Sequence, residues 1–191
     1  MKENSDLIVV FHQRWSLRIL GTYFDNEEGY RETDDLEFSS YLEPVNIKTS
    51  SDKERLQYIK KALRSQINNI VNQGHKLVLV YPVPEVGTNT YRYLFRNYIF
   101  KNSIPVFSGS YDVYKKRNKL IFEILDSINN PSIYRVYPHE FFCNKQLENR
   151  CVANDKNNIF YNDNNHLSIQ GSKLVVDEIM KEIKKIELKS N

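Results

Sequence analysis

The stretch Lys76-Leu77-Val78-Leu79-Val80-Tyr81, closed by Pro82 and Pro84, decides the fold. It is a continuous apolar run without polar alternation, the pattern of a strand buried on both faces as in a parallel sheet. The prolines cannot donate ladder hydrogen bonds, so the strand ends there. Just upstream, Ser51 followed three residues later by Glu54 is a capping box. From it Leu56, Ile59, Leu63, Ile67, Ile70 and Val71 recur at helical spacing until Gly74 closes the helix. A helix that feeds a buried strand across one turn is half of a βαβ unit.

Outward from this unit the same grammar repeats. Leu7-Ile8-Val9-Val10-Phe11 reads as a second buried strand, and Ser132-Ile133-Tyr134-Arg135-Val136-Tyr137, stopped by Pro138, as a third. The segment from Asp25 to Asp52 is polar, carries Gly29, Pro44 and several acids, and has no sustained period, so it reads as a surface excursion. Tyr91 to Phe100 is aromatic-rich and reads as a short helix of ambiguous period. Tyr111 to Ile128 forms a clearer apolar face through Tyr114, Leu120, Ile121, Ile124, Leu125 and Ile128. A last helix starts near Ser168 as N-cap and runs through Leu174, Val175, Ile179, Ile183 and Ile186. Alternating strands and helices predict a parallel sheet with right-handed crossovers in a single α/β domain over 1–191.

Composition narrows the function classes. The chain has 191 residues, 40% hydrophobic, 13% aromatic and 27% charged, with no apolar run near the roughly 18 residues of a membrane span. Its 27 basic and 24 acidic residues leave a net charge of +3, too small and too dispersed to indicate nucleic acid. The basic cluster Lys181 to Lys189 alternates with apolar residues, Glu182 and Glu187, and reads as the solvated face of the last helix. The first residues carry no secretory leader, which by itself keeps the chain in the cytoplasm. Cys143 and Cys151 pull the other way: they bracket a polar loop that a disulfide can close, and disulfides persist in oxidising compartments. Two free thiols fit the spacing equally well, and with no histidine partner the pair makes poor metal ligands.

The chemistry concentrates in Tyr161-Asn162-Asp163-Asn164-Asn165-His166-Leu167-Ser168. A serine hydrolase needs an imidazole to take the hydroxyl proton and a carboxylate to fix its tautomer. One tight loop carrying both lets the backbone set their separation, with Asp163 reaching one ring nitrogen of His166 and the other pointing outward. Four residues alone fit equally a surface turn in which Asp163 caps locally. Of the other histidines, His12 lies nearest the edge where open α/β sheets bind ligands. Gly171 and Ser172 suit a helix packed closely on the sheet.

Several segments in order resemble the SGNH hydrolases, and in particular the SGNH domains fused to membrane acyltransferases that O-acetylate bacterial surface polysaccharides. They are Phe160 to Gly171 around Asp163-x-x-His166-Leu167-Ser168, Tyr81-Pro82-Val83-Pro84-Glu85-Val86-Gly87, Arg14-Trp15-Ser16-Leu17 through Gly21 to Asn26, and Cys143 with Cys151 ahead of the histidine loop. The resemblance covers nearly the whole chain. It implies a flavodoxin-like three-layer α/β/α sandwich with five parallel strands in order 2-1-3-4-5. The strands read here would be the third, fourth and fifth, contiguous in the sheet, and the domain incomplete at its N-terminus.

The same resemblance implies acyl-ester chemistry on carbohydrate, by O-acetyl transfer or hydrolysis, on the extracytoplasmic, periplasmic side of a membrane. His166 would be the general base and Asp163 its orienting carboxylate, with no metal or organic cofactor. The partners implied are an acylated saccharide and a fused or neighbouring membrane acyltransferase domain. The family's Gly-Asp-Ser nucleophile block has no counterpart here and is expected upstream of Met1, which would leave the isolated chain inactive. Gly109-Ser110 is a poor imitation, with no apolar strand leading into it. The oxyanion glycine and asparagine of the family are not evident either. After the first strand stand His12-Gln13-Arg14-Trp15, where Gln13 or Arg14 could donate to an oxyanion, or Arg14 and Trp15 could be structural. Two other readings remain: an inactive carbohydrate-binding module, for which 13 tyrosines supply stacking surface, and a fragment whose first strand exposes an unpaired edge.

Overall fold

The structure, a computed structural model, describes residues 7–32 and 42–190, so part of the excursion read from Asp25 to Asp52 lies outside the described residues. Strands β1 (Ile8–Phe11), β2 (Lys76–Val80) and β4 (Ile133–Val136) form a parallel sheet in the order β1-β2-β4. The register pairs Val10 with Val78 and Val78 with Tyr134. The three strands read from the sequence are therefore contiguous, as the resemblance implied.

β2 explains why its sequence shows no alternation. Leu77 and Leu79 enter one core with Ile59, Leu63 and Ile67 of α2 (Asp52–Asn72) and with Ile121, Ile124 and Leu125 of α4 (Tyr111–Asp126). Val78 and Val80 enter the opposite core with Val175 and Ile186 of α6 (Ile169–Ser190). Successive side chains of a strand point to opposite faces, and here both faces are covered. The result is three layers, helix on sheet on helix. Each fully buried Leu or Val contributes about 1.5–3 kcal/mol relative to exposure.

Helix signals are realised with one change of partner. Ser51 caps α2 by accepting from the Glu54 N–H at 3.2 Å, but the Glu54 carboxylate takes the Ser50 N–H at 2.7 Å instead of closing back on Ser51. Gly74 adopts φ +91°, the left-handed geometry that ends the helix at no Cβ cost. α3 (Thr90–Lys101) is capped by Asn89, whose side chain accepts from Arg92 N–H at 2.8 Å.

Three features escaped the sequence reading. α1 (Trp15–Leu20) and α5 (His139–Phe142) are too short to show a period. β3 (Ser108–Ser110) and β5 (Arg150–Val152) pair antiparallel, Gly109 opposite Cys151, in a second small sheet. Ser-Gly-Ser has no strand propensity; tertiary contacts hold it. The buried Asn154 amide accepts from Phe107 N–H at 2.7 Å and donates to the Pro105 carbonyl at 3.1 Å, fixing the chain just before β3. Cys143 and Cys151 are joined in a disulfide beside this pairing. Gly109 and Ser110 are themselves part of β3, with no apolar strand ahead of them, and Ser110 caps α4 by accepting from Val113 N–H.

Candidate active site

The loop between Tyr161 and Ser168 is a closed turn. Tyr161 and Leu167 form an antiparallel bridge, and the Asn162 N–H donates to the His166 carbonyl at 2.8 Å. Inside it, Asp163 Oδ1 accepts the backbone N–H groups of Asn165 at 2.9 Å and His166 at 2.7 Å. Its Oδ2 lies 2.7 Å from His166 Nδ1. An aspartate that bonds the backbone two and three residues on is the usual means of setting such a turn. Here the same carboxylate also fixes an imidazole. One oxygen thus sets the turn and the other holds the imidazole.

Burial alone would raise the Asp163 pKa, but the two backbone N–H groups and the His166 ring outweigh it and hold the carboxyl below its ordinary value. An ionised Asp163 accepting from Nδ1–H leaves Nε2 as the basic nitrogen. The His166 side chain is 74% exposed, and its Nε2 has no partner among the described residues.

The segment Pro82 to Gly87 is the seat of this loop. Val86 and Gly87 donate their N–H groups to the Asn164 carbonyl at 3.1 and 3.3 Å, and Thr90 Oγ1 donates to the Asp163 carbonyl at 3.3 Å. The Tyr161 hydroxyl, fully buried, donates to the Pro84 carbonyl at 2.7 Å. With prolines preventing a strand ladder, the segment's remaining polar groups are free to grip the loop. Gly87 is required twice over: its φ is +78°, and a Cβ would come within 3.0 Å of the Tyr30 carbonyl. On the far side, Ser168 caps α6 by accepting from Gly171 N–H at 3.2 Å. A Cβ on Gly171 would lie 2.2 Å from the Phe160 carbonyl, so only glycine allows α6 to start this close to the loop.

His166 overlooks a cleft of about 370 Å³ whose walls include His12, Gln13, Arg14, Glu85 and Asn165. The structure thus brings Gln13 and Arg14 to the same cleft as the Asp163–His166 pair. Arg14 is heavily engaged there. Its guanidinium contacts Glu32 and donates to Glu85 from Nε at 3.1 Å and Nη2 at 2.7 Å. Arg117 Nε donates to the second Glu85 oxygen at 2.7 Å, and Asn165 Nδ2 donates to Glu32 at 2.9 Å. Two arginines and two buried glutamates balance their charge and tie the β1 loop, the Pro82–Gly87 segment, α4 and the histidine loop together. Desolvation lowers the Arg14 pKa, but the glutamates more than offset it, so the group stays charged. Only Nη1 remains without a partner among the described residues. Gln13 Nε2 is buried and has none. An unpaired buried amide N–H costs about 1–3 kcal/mol.

Trp15 is structural: its ring is buried and its Nε1 donates to the Val80 carbonyl at 2.8 Å. His12 Nδ1 sits 3.3 Å from the same carbonyl, and burial lowers its pKa. Ser16 and Ser172 also border the cleft. The Ser16 hydroxyl is taken by Asn118 at 2.5 Å, and among the described residues no serine hydroxyl is bonded to His166. Glu85 and Glu32 were missed as site residues, because their partners lie far away in sequence and no spacing records them.

The sequence profile of SGNH domains fused to AT3 domains matches residues 1–181. Among solved structures, the chain is similar to the periplasmic domain of a lipopolysaccharide acetyltransferase from Salmonella ser. Paratyphi A. The two share 17% identity at a TM-score of 0.50 over 66% of this chain, a likeness of fold. The chain spans about half of that structure, 49% of its length. No curated protein matches significantly.

Proposed function

This chain belongs to the family of SGNH domains fused to AT3 domains, and from that premise we propose that it supplies the base and orienting acid of a serine acyl-transfer site for carbohydrate esters. The observation that carries the reading is the 2.7 Å bond from Asp163 to His166 Nδ1 with Nε2 left open over the cleft. In this reaction Nε2 takes the proton of an attacking serine hydroxyl while Asp163 stabilises the imidazolium. The serine adds to the acyl carbonyl, and the collapsing intermediate expels the first alcohol, which leaves with the proton from His166. A sugar hydroxyl then attacks the acyl-enzyme in transfer, or water in hydrolysis, with His166 again as base. The Gln13 Nε2 and Arg14 Nη1 donors border the same cleft and are the candidates for the oxyanion.

The nucleophile belongs to a segment outside residues 1–191. Support comes from β1, which pairs only with β2 among the described residues and leaves Val10 exposed, an edge fit to receive another strand. The AT3 partner named in the family description is the proposed source of the acyl group, with the domain on the extracytoplasmic side and its disulfide in keeping with that compartment. The test is acetylation of surface polysaccharide by this chain joined to the segment and the AT3 domain proposed to complete it. His166→Ala is expected to abolish it without loss of folded protein. Full activity in that variant would overturn the assignment.

A second reading, a carbohydrate-binding module without turnover, is favoured by one observation: no serine hydroxyl meets His166 among the described residues. Ester hydrolysis that depends on His166 would exclude it.

A further inference from the structure

α3 carries two apolar arcs, and only one is used. Leu94, with half-buried Tyr93 and Asn97, faces the core. Tyr91, Phe95, Tyr98 and Ile99, spaced i, i+4, i+7 and i+8, form a second stripe that faces solvent, with Phe95 64% exposed. Phe100, at 78% in the last turn of α3, and Ile104, at 64% beyond its end, add further exposed apolar side chains. Soluble monomers seldom leave so much contiguous apolar surface without a use for it.

Charge identifies the partner. Arg92 and Arg96, also i and i+4, lie on the arc beside the apolar stripe, and Lys101 follows at the helix end. Among the described residues none of the three is in an ion pair, whereas Arg14, Arg55, Arg117 and Arg150 each hold a carboxylate. From Val86 to Tyr111 the chain contains no Asp or Glu, so nothing local neutralises them. Solvent-facing aromatic and aliphatic side chains flanked by unpaired arginine and lysine, with acids excluded, are what an anionic bilayer surface takes up. We propose that α3 and the residues to Val106 form a membrane-surface docking face, with Phe95, Ile99 and Phe100 entering the headgroup boundary and Arg92, Arg96 and Lys101 meeting lipid phosphates.

The placement has a consequence for the cleft. Thr90, the first residue of α3, holds the Asp163 carbonyl, so a docked α3 keeps the His166 loop within a helix length of the lipid surface. This inference does not depend on catalysis, because it is read from lipid binding alone.

The experiment is co-sedimentation of the 191-residue chain with vesicles of phosphatidylcholine, with and without phosphatidylglycerol. Binding is expected on the anionic vesicles, weakening with salt. Reversing all three cations, Arg92→Glu, Arg96→Glu and Lys101→Glu, should lower partitioning by roughly 100-fold. Phe95→Ser, Ile99→Ser and Phe100→Ser together should lower it by at least about tenfold. These side chains make no core contacts, so thermal melts should be unchanged and loss of fold is separable from loss of binding. Equal sedimentation with and without anionic lipid, or no effect of either triple variant, overturns the proposal. So does a stable dimer in solution that the apolar triple variant dissociates, since the face would then belong to a second copy.

Discussion

Asp163 and Glu85 are two carboxylates at one cleft with opposite employment. Asp163 binds its own loop and presents an exposed imidazole; Glu85 is buried and joins Arg14 to Arg117 across three separate segments. The first is a bond between residues three apart, the second spans the fold. A short-range carboxylate ties only its own loop, whereas removing the long-range one leaves Arg117 without a carboxylate and Arg14 with Glu32 alone.

The largest expected effect tests the first half of this contrast. Asp163→Asn should lower the proposed polysaccharide acetylation by roughly 10⁴-fold, the loss expected when an imidazole loses its orienting acid. Its melting temperature should stay within about two degrees. A large fall in stability would mean that the loop carboxylate is a structural tie like Glu85, and the contrast would collapse.

Glu85→Ala tests the other half. Removal of one partner from a buried ion pair costs about 3–5 kcal/mol, so the urea midpoint should drop sharply. An unchanged midpoint would show that the two arginines do without it. Smaller is the effect of Cys143→Ser with Cys151→Ser. The disulfide closes a short loop, and its loss should cost about 2–3 kcal/mol by chain entropy, measured as the same midpoint. Because it pins β5 locally, the His166-dependent activity should outlast the stability loss.

The smallest effect is in pH. The folded Asp163 pKa lies below its ordinary 3.8, so the unfolded chain binds the proton first as pH falls. Its contribution is complete above about pH 5 and is lost on descent through the folded value. Wild type and Asp163→Asn should therefore differ slightly in stability at pH 6, and the difference should shrink in urea titrations as pH falls through the folded Asp163 value. A difference that stays constant as pH falls would place the stabilising charge elsewhere.

α2 and α3 explain what was legible. Ile59, Leu63, Ile67 and Val71 all face one core, so periodicity alone located α2 and its end at Gly74. α3 reads ambiguously because Phe95 and Ile99 are apolar on the solvent face as Leu94 is on the buried one; two superposed periods blur into none. β3 was illegible for a different reason: Asn154, forty-odd residues away, does the work that propensity does elsewhere.

Local chemistry determined the strands, the helix caps and the Asp163–His166 pair, because each depends on residues a few positions apart whose backbone sets their distance. The tertiary structure alone decided that Pro82 to Gly87 would seat the histidine loop, that Arg14 would be gripped by Glu32 and Glu85, and that Gln13 would stand unpartnered beside them. Those contacts join segments brought together only by burial of the two cores, and no spacing along the chain encodes a meeting that packing creates.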